Sequence, residues 1–186
     1  MVSVQKINPV VRAILVVGAA AGLVVGVTFA ALNSQATLTG NTISATAGLL
    51  LSTDEGTTFG GSVPGLNFSG VVLGDNSGVT KTFKLKNAAS SSMTLSLHVP
   101  TAPTFTGGTV DQNKVHVALA CTTPTLTMAS TTLTTLVSTE ANITGTLAAG
   151  NIADCSVTVT FDSDAVIGGT SVTSSAFDLR FTGTGS

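Results

Sequence analysis

The sequence predicts an all-β fold: a single antiparallel two-sheet sandwich behind an N-terminal hydrophobic signal helix. Three observations carry this. First, apolar residues are interleaved with Thr and Ser, charged residues make up only 9% of the chain, and the usual fillers of exposed helix faces, Lys and Glu, are scarce. β-Branched side chains are stiff at χ1 and suit a pleated surface. Second, apolar and polar residues alternate with period 2 in segment after segment. Third, turn signals recur at roughly 8–12 residues, the spacing of short strands in a sandwich or barrel. A sheet that is apolar on one side only packs against a second sheet and leaves its outer face wet.

Residues 1–12 carry Lys6, Arg12 and no acid, and Ala13 to Phe29 is an apolar run broken by a single Thr. A positive start, an apolar centre and a small-residue exit at Thr28-Phe29-Ala30 describe a secretory signal peptide, with cleavage expected after Ala30. The same run is long enough to act as an uncleaved N-terminal membrane anchor. Either way the remaining chain is exported, so the expected partners include the export machinery and signal peptidase. The expected organisation is 1–30 leader or anchor, 31–39 a separate first strand, and 40–186 the sandwich domain.

The strand at the new N-terminus is Leu32–Thr39, in which Leu32, Ser34, Ala36 and Leu38 share one face. Gly40-Asn41 breaks it. Ile43, Ala45 and Ala47 continue the alternation into Leu49-Leu50-Leu51. Thr53–Gly56 and Pro64-Gly65 read as turns. Leu66, Phe68 and Val71 to Leu73 follow, then a polar loop from Gly74 to Gly78. Phe83 and Leu85 set the inward face of Thr80–Asn87, and Met93, Leu95, Leu97 and Val99 that of the next strand. Val115, Val117, Leu119 and Cys121 form another one-sided strand, as do Cys155, Val157, Val159 and Phe161, and finally Phe177, Leu179 and Phe181. The Thr-rich stretch 122–135 fits no single period, and Leu133, Leu136 and Val137 have the spacing of one helical turn. About eight or nine strands result.

Beyond the leader, five basic residues face nine acidic ones, a net charge of −4. No Lys/Arg cluster and few aromatic platforms remain, which excludes a nucleic-acid partner. Cys121 and Cys155 both have the inward parity of their strands. In an exported chain an even pair reads as a disulfide, the alternative being two buried free thiols. His98 and His116 fall on polar faces, where a solvent-facing role is commoner than metal binding. Asp162-Ser163-Asp164 is a candidate calcium ligand pair, since i and i+2 carboxylates can face one ion, although the Gly and Glu of a calcium loop are missing. Asn67-Phe68-Ser69 and Asn142-Ile143-Thr144 fit the glycosylation sequon. No nucleophile elbow, phosphate loop or convergent acid–base set appears. The reading is of a protein without catalytic residues or cofactor.

The order of motifs resembles the TasA/camelysin group of exported bacterial proteins. The residues concerned are Gly40-Asn41-Thr42-Ile43-Ser44-Ala45-Thr46-Ala47-Gly48-Leu49-Leu50-Leu51-Ser52, then Leu73-Gly74-Asp75, then Thr82-Phe83-Lys84-Leu85-Lys86-Asn87. Ile43 stands where that group has Phe, two extra residues precede the Leu run, Leu73 replaces a usual Pro, and the cysteine pair is not a general family feature. The resemblance implies a jelly-roll subunit of extracellular surface or biofilm-matrix fibres, in which the N-terminal strand of one copy completes the sheet of the next. Residues 31–39 would then be the donor strand, with Leu32, Ala36 and Leu38 filling the receiving groove. The alternative is a monomeric, membrane-anchored surface adhesin or binding module.

Overall fold

The computed structural model describes residues 35–38, 41–167, 171–175 and 178–185. The signal helix and the expected strand residues Leu32, Ser34 and Phe177 lie outside the described residues. Within them the fold is all-β, with one short α-helix and one 3-10 turn.

The chain begins with β1 (Gln35–Leu38), β2 (Thr42–Ala45), β3 (Leu49–Ser52), β4 (Ser62–Pro64) and β5 (Phe68–Val72). Next come β6 (Val79–Asn87), β7 (Met93–His98), β8 (Phe105–Thr106) and β9 (Thr109–Val110). A 3-10 turn at Gln112–Lys114 leads into β10 (Val115–Thr122) and β11 (Thr125–Thr132). Helix α1 (Leu133–Ser138) precedes β12 (Ala141–Leu147), β13 (Ile152–Phe161), β14 (Val166–Ile167), β15 (Ser171–Ser174) and β16 (Asp178–Gly185).

The period-2 pattern places the core as expected. Phe83, Leu85, Met93, Leu95, Leu97, Val115, Val117, Leu119, Val157, Val159 and Phe161 are all buried, and their odd-numbered parity turns the intervening Thr, Lys and Ser to the other face, where Ser96 alone of these is also buried. The Thr-rich stretch resolves into a hairpin and a cap. A cis Thr123-Pro124 bond lies in the tight connection between β10 and β11, and Leu126 and Met128 point inward from β11. Thr132 then caps α1, its side chain accepting from the Thr135 amide, and Leu133 and Leu136 bury the helix's inner face. An N-cap hydroxyl satisfies a donor that the first helical turn otherwise leaves open. The spacing of Leu133 and Leu136 thus marks a real helix, and its six residues agree with the low helix propensity of Thr and Val.

Ten strands form one large sheet in the order β3-β6-β13-β10-β11-β12-β7-β16-β2-β4. Its two rims meet: Leu51 and Gly60 exchange backbone hydrogen bonds of 2.8 and 2.9 Å, so the sheet nearly closes on itself. Phe83 on β6 and Phe181 on β16, from distant positions in that strand order, approach to 5.4 Å between ring centroids and tie its inner faces together. A second sheet runs β5-β1-β15-β8, and β14-β9 makes a third small ribbon. Phe105 of β8 packs edge-on against Phe161 of β13, joining the second sheet to the first.

Two departures from the expected antiparallel arrangement occur together. β1 pairs parallel with β15, and β2 pairs parallel with β16. Both pairs keep the same separation of 136 residues, so Gln35 matches Ser171 and Thr42 matches Asp178. β1 and β2 thus run parallel beside β15 and β16, the first pair in the small sheet and the second in the large one. Period-2 patterning assigns faces but not strand direction, which is why this was not legible in the sequence.

Asn87 shows why a strand of this kind ends in Asn. It is fully buried, its amide donates to the carbonyls of Ser91 (2.8 Å) and Leu147 (2.9 Å), and its Oδ1 accepts from the Ala89 amide (2.9 Å). One side chain satisfies three backbone groups where β6 turns toward β7, and buried backbone polar groups require such partners.

Candidate assembly interface

The structure places β1 in the interior of the small sheet. Its backbone pairs antiparallel with β5 on one side and parallel with β15 on the other. Gln35, Ala36 and Leu38 match Val72, Val71 and Phe68, with an irregularity between Ala36 and Leu38. Leu38 is 1% exposed and lies in register with Phe68, itself 0% exposed, and with Ser174. Removing these four residues would leave a slot between β5 and β15 whose inner wall includes Phe68, Val71 and Val172. Of the four expected donor residues, Ala36 and Leu38 thus fall in the strand, with Leu38 buried.

The chain is pinned immediately after β1. Asn41 is 1% exposed, and its amide donates to the Leu66 carbonyl at 3.0 Å and, more weakly, to Leu38 at 3.4 Å. Gly65 allows this approach, because a Cβ there would stand 1.1 Å from the Asn41 carbonyl oxygen. Just beyond, the Thr42 hydroxyl donates to the Asp178 carboxylate, closing the junction between β2 and β16. On the other flank Ser174 is 5% exposed, and among the described residues its hydroxyl has no hydrogen-bond partner. A buried hydroxyl without a partner is a local cost to the sheet.

Gly40-Asn41 reads in the sequence only as a strand break. The role of Asn41 depends on a carbonyl 25 residues away and could not be seen there. Ser174 carried no signal at all, since Ser is equally at home on an outer face.

The remaining sequence-predicted residues sit elsewhere. Cys121 and Cys155 are register partners on β10 and β13, and their sulfurs are bonded at 2.09 Å. Asp162 and Asp164 do not converge on one point. Asp164 pairs with Lys114, and the Asp162 carboxylate lies 3.4 Å from Nε2 of His116. The hydrogen bond from Lys114 holds the Asp164 carboxyl below the usual carboxylate range, and Asp164 in turn raises Lys114. Each carboxylate thus has its own side-chain partner, Lys114 for Asp164 and His116 for Asp162, rather than a point shared by the two. Among the described residues no three His, Cys, Asp or Glu side chains gather as a metal site would require. His98 contacts the Val137 carbonyl at 3.4 Å.

A shallow groove lies on the outer face of β6, β13 and β10, walled by Thr53 and Glu55 and crossed by the Lys84–Asp154 ion pair. Its floor is Thr82, Ser156, Ala120 and Thr122, and the Ser156 hydroxyl donates to the Ala120 carbonyl at 3.3 Å. Beside it, Asp54 is held down at about 2 by the Ser52 hydroxyl and then the Thr58 amide, which donate to its carboxylate.

Comparison with known protein families and with curated proteins returns no match to this chain.

Proposed function

We propose that the protein is an exported, non-enzymatic structural subunit that assembles into surface or matrix fibres by exchanging its N-terminal strand between copies. The observation that supports this most is the place of β1. It is the first strand after the apolar leader, only four residues long, and it fills a slot with a strand on either side. The rims of the large sheet bond to each other through Leu51 and Gly60, so strand addition has little purchase there. An interior slot filled by a strand that leader cleavage would place near the new N-terminus is different. The same segment from a neighbour can supply the same backbone hydrogen bonds and the same apolar side chain. Contact of this head-to-tail kind does not close, and so yields filaments.

In this reading the large, nearly closed sheet and the small sheet are the two layers of a jelly-roll-like sandwich. The anchoring contacts at Asn41, Gly65 and Thr42–Asp178 keep the hinge next to β1 fixed while residues 31–39 exchange. The TasA/camelysin resemblance is consistent with it, resting on the motifs quoted above.

One observation favours the rival reading of a monomeric surface module: β1 already occupies the slot of its own chain. Size-exclusion chromatography and negative-stain imaging of the chain from Ala31 onward separate the two. Fibres are expected, and deletion of Ala31 to Thr39 is expected to abolish them while leaving a folded monomer. Fibres that persist after the deletion would overturn strand exchange.

A further inference from the structure

The sequon Asn142-Ile143-Thr144 lies on β12 with its three side chains sorted by strand parity. Ile143 is 4% exposed and anchored in the core, whereas Asn142 and Thr144 both point outward and are exposed. Asn142 is in register with Ser96 of β7. The Ser96 hydroxyl is committed elsewhere. Ser96 donates to Glu140 at 2.6 Å, and Thr182, the register partner of Ser96 on β16, donates to the same carboxylate at 3.3 Å. Among the described residues the Asn142 amide and the Thr144 hydroxyl are left without a hydrogen-bond partner.

The strand pairing loosens just beyond Asn142. β12 is the seam of the large sheet: it pairs with β7 through Ala141, Asn142 and Ile143, but meets β11 at one register position, Thr144 with Thr127. Gly145 follows with φ 111° and the pairing with β7 is irregular from Ile143 to Leu147. An exposed Asn amide, an exposed Thr hydroxyl two residues on, and an irregular register directly after them present the tripeptide at the surface, as a glycosyl-transferring enzyme requires. The other sequon, at Asn67, is placed less well. Its Phe68 is in register with Leu38, so a glycan there would stand beside β1.

We propose that Asn142 is a site of N-linked glycosylation. The co-reactant is a lipid-phosphate-linked oligosaccharide. The amide nitrogen of Asn142 forms a bond to C1 of the reducing-end sugar, the C1–O bond to the lipid phosphate breaks, the lipid phosphate leaves with the electron pair, and the amide loses one proton. The proposal rests on the export reading, because the transfer takes place on chains that cross a membrane.

The test is peptide mass spectrometry of the full chain isolated from the cells that naturally make it, after fractionation into cytoplasmic and exported pools. The peptide containing Asn142 is expected to carry carbohydrate in the exported pool, and enzymatic release of the glycan should convert Asn142 to Asp. Both Asn142→Gln and Thr144→Ala should abolish the modification, and Thr144→Ser should retain it. Both substituted positions, Asn142 and Thr144, are exposed, so export of the variants reports that folding is intact. An exported chain with Asn142 unmodified, or modified only at Asn67, overturns the site and leaves the export reading standing. A chain found only in the cytoplasm overturns both.

Discussion

Replacing Leu38 by Ala separates the energetics of strand exchange from its kinetics. Leu38 is the buried side chain of β1, at 1% exposure. Truncating such a residue costs about 2–5 kcal/mol, the transfer energy of the lost carbons plus the cavity they leave. In an exchanged fibre each subunit loses its own β1 and gains a neighbour's, with the same Leu38 in the same slot. The contact is therefore present on both sides of the equilibrium and cancels from it to first order. It does not cancel from the opening step, in which β1 must leave its slot before a neighbour's can enter. Since each 1.36 kcal/mol is tenfold in rate, opening should accelerate about 30-fold at the least and several-thousand-fold at the most. Amide hydrogen exchange across Gln35–Leu38 measures the opening, and light scattering measures fibre growth. Both should quicken in Leu38→Ala, while the critical concentration for fibres changes little. Faster amide exchange with an unchanged growth rate would refute the reasoning, because assembly would then not pass through release of β1.

Four further outcomes are expected. Reduction of the Cys121–Cys155 disulfide, which closes a loop across 34 residues, should lower stability by about 3–4 kcal/mol in urea denaturation compared with the oxidised chain. Asn41→Ala leaves the buried Leu66 carbonyl without its donor and should cost about 1–3 kcal/mol in the same assay; Gly65→Ala, which forces a Cβ onto the Asn41 carbonyl, should also destabilise. Ser174→Ala removes a buried hydroxyl without a partner among the described residues, so it should leave stability unchanged or raise it by about 1 kcal/mol, against the usual direction of core substitutions. The Asp54 carboxyl should titrate near 2 by NMR, because the Ser52 hydroxyl and the Thr58 amide favour its charged form. A depressed folded-state pKa means that this contribution is present above the ordinary carboxylate value and is lost as pH falls from there towards 2. Ser52→Ala should move the midpoint back up.

Faces were legible in the sequence and directions were not. The inward sets of β6, β7, β10 and β13 follow from alternation alone, because one buried face fixes parity along a strand. The pairing of Cys121 with Cys155 followed from the same parity together with the expectation of export. The parallel ribbon of β1–β2 with β15–β16 was hidden, since parallel and antiparallel neighbours demand the same alternation when one face is wet. The hairpin at Thr123-Pro124 was hidden as well, because a run of Thr serves strand, cap and turn equally. Asp162 and Asp164 show the opposite failure. Their spacing suggested a shared ligand, but Lys114 and His116, nearly fifty residues upstream in sequence, take one carboxylate each. The candidate interface was half legible: alternation marks a strand near the chain start, but only the fold shows that it lies between β5 and β15.

The central claim is that the β1 in a given slot belongs to another copy once fibres form. Thr37 of β1 and Thr173 of β15 are backbone partners. A chain carrying Thr37→Cys and Thr173→Cys, assembled into fibres and then oxidised, reports which copy supplies the strand on a non-reducing gel. Exchange predicts a ladder of covalent multimers. Cross-linked monomer alone would contradict it.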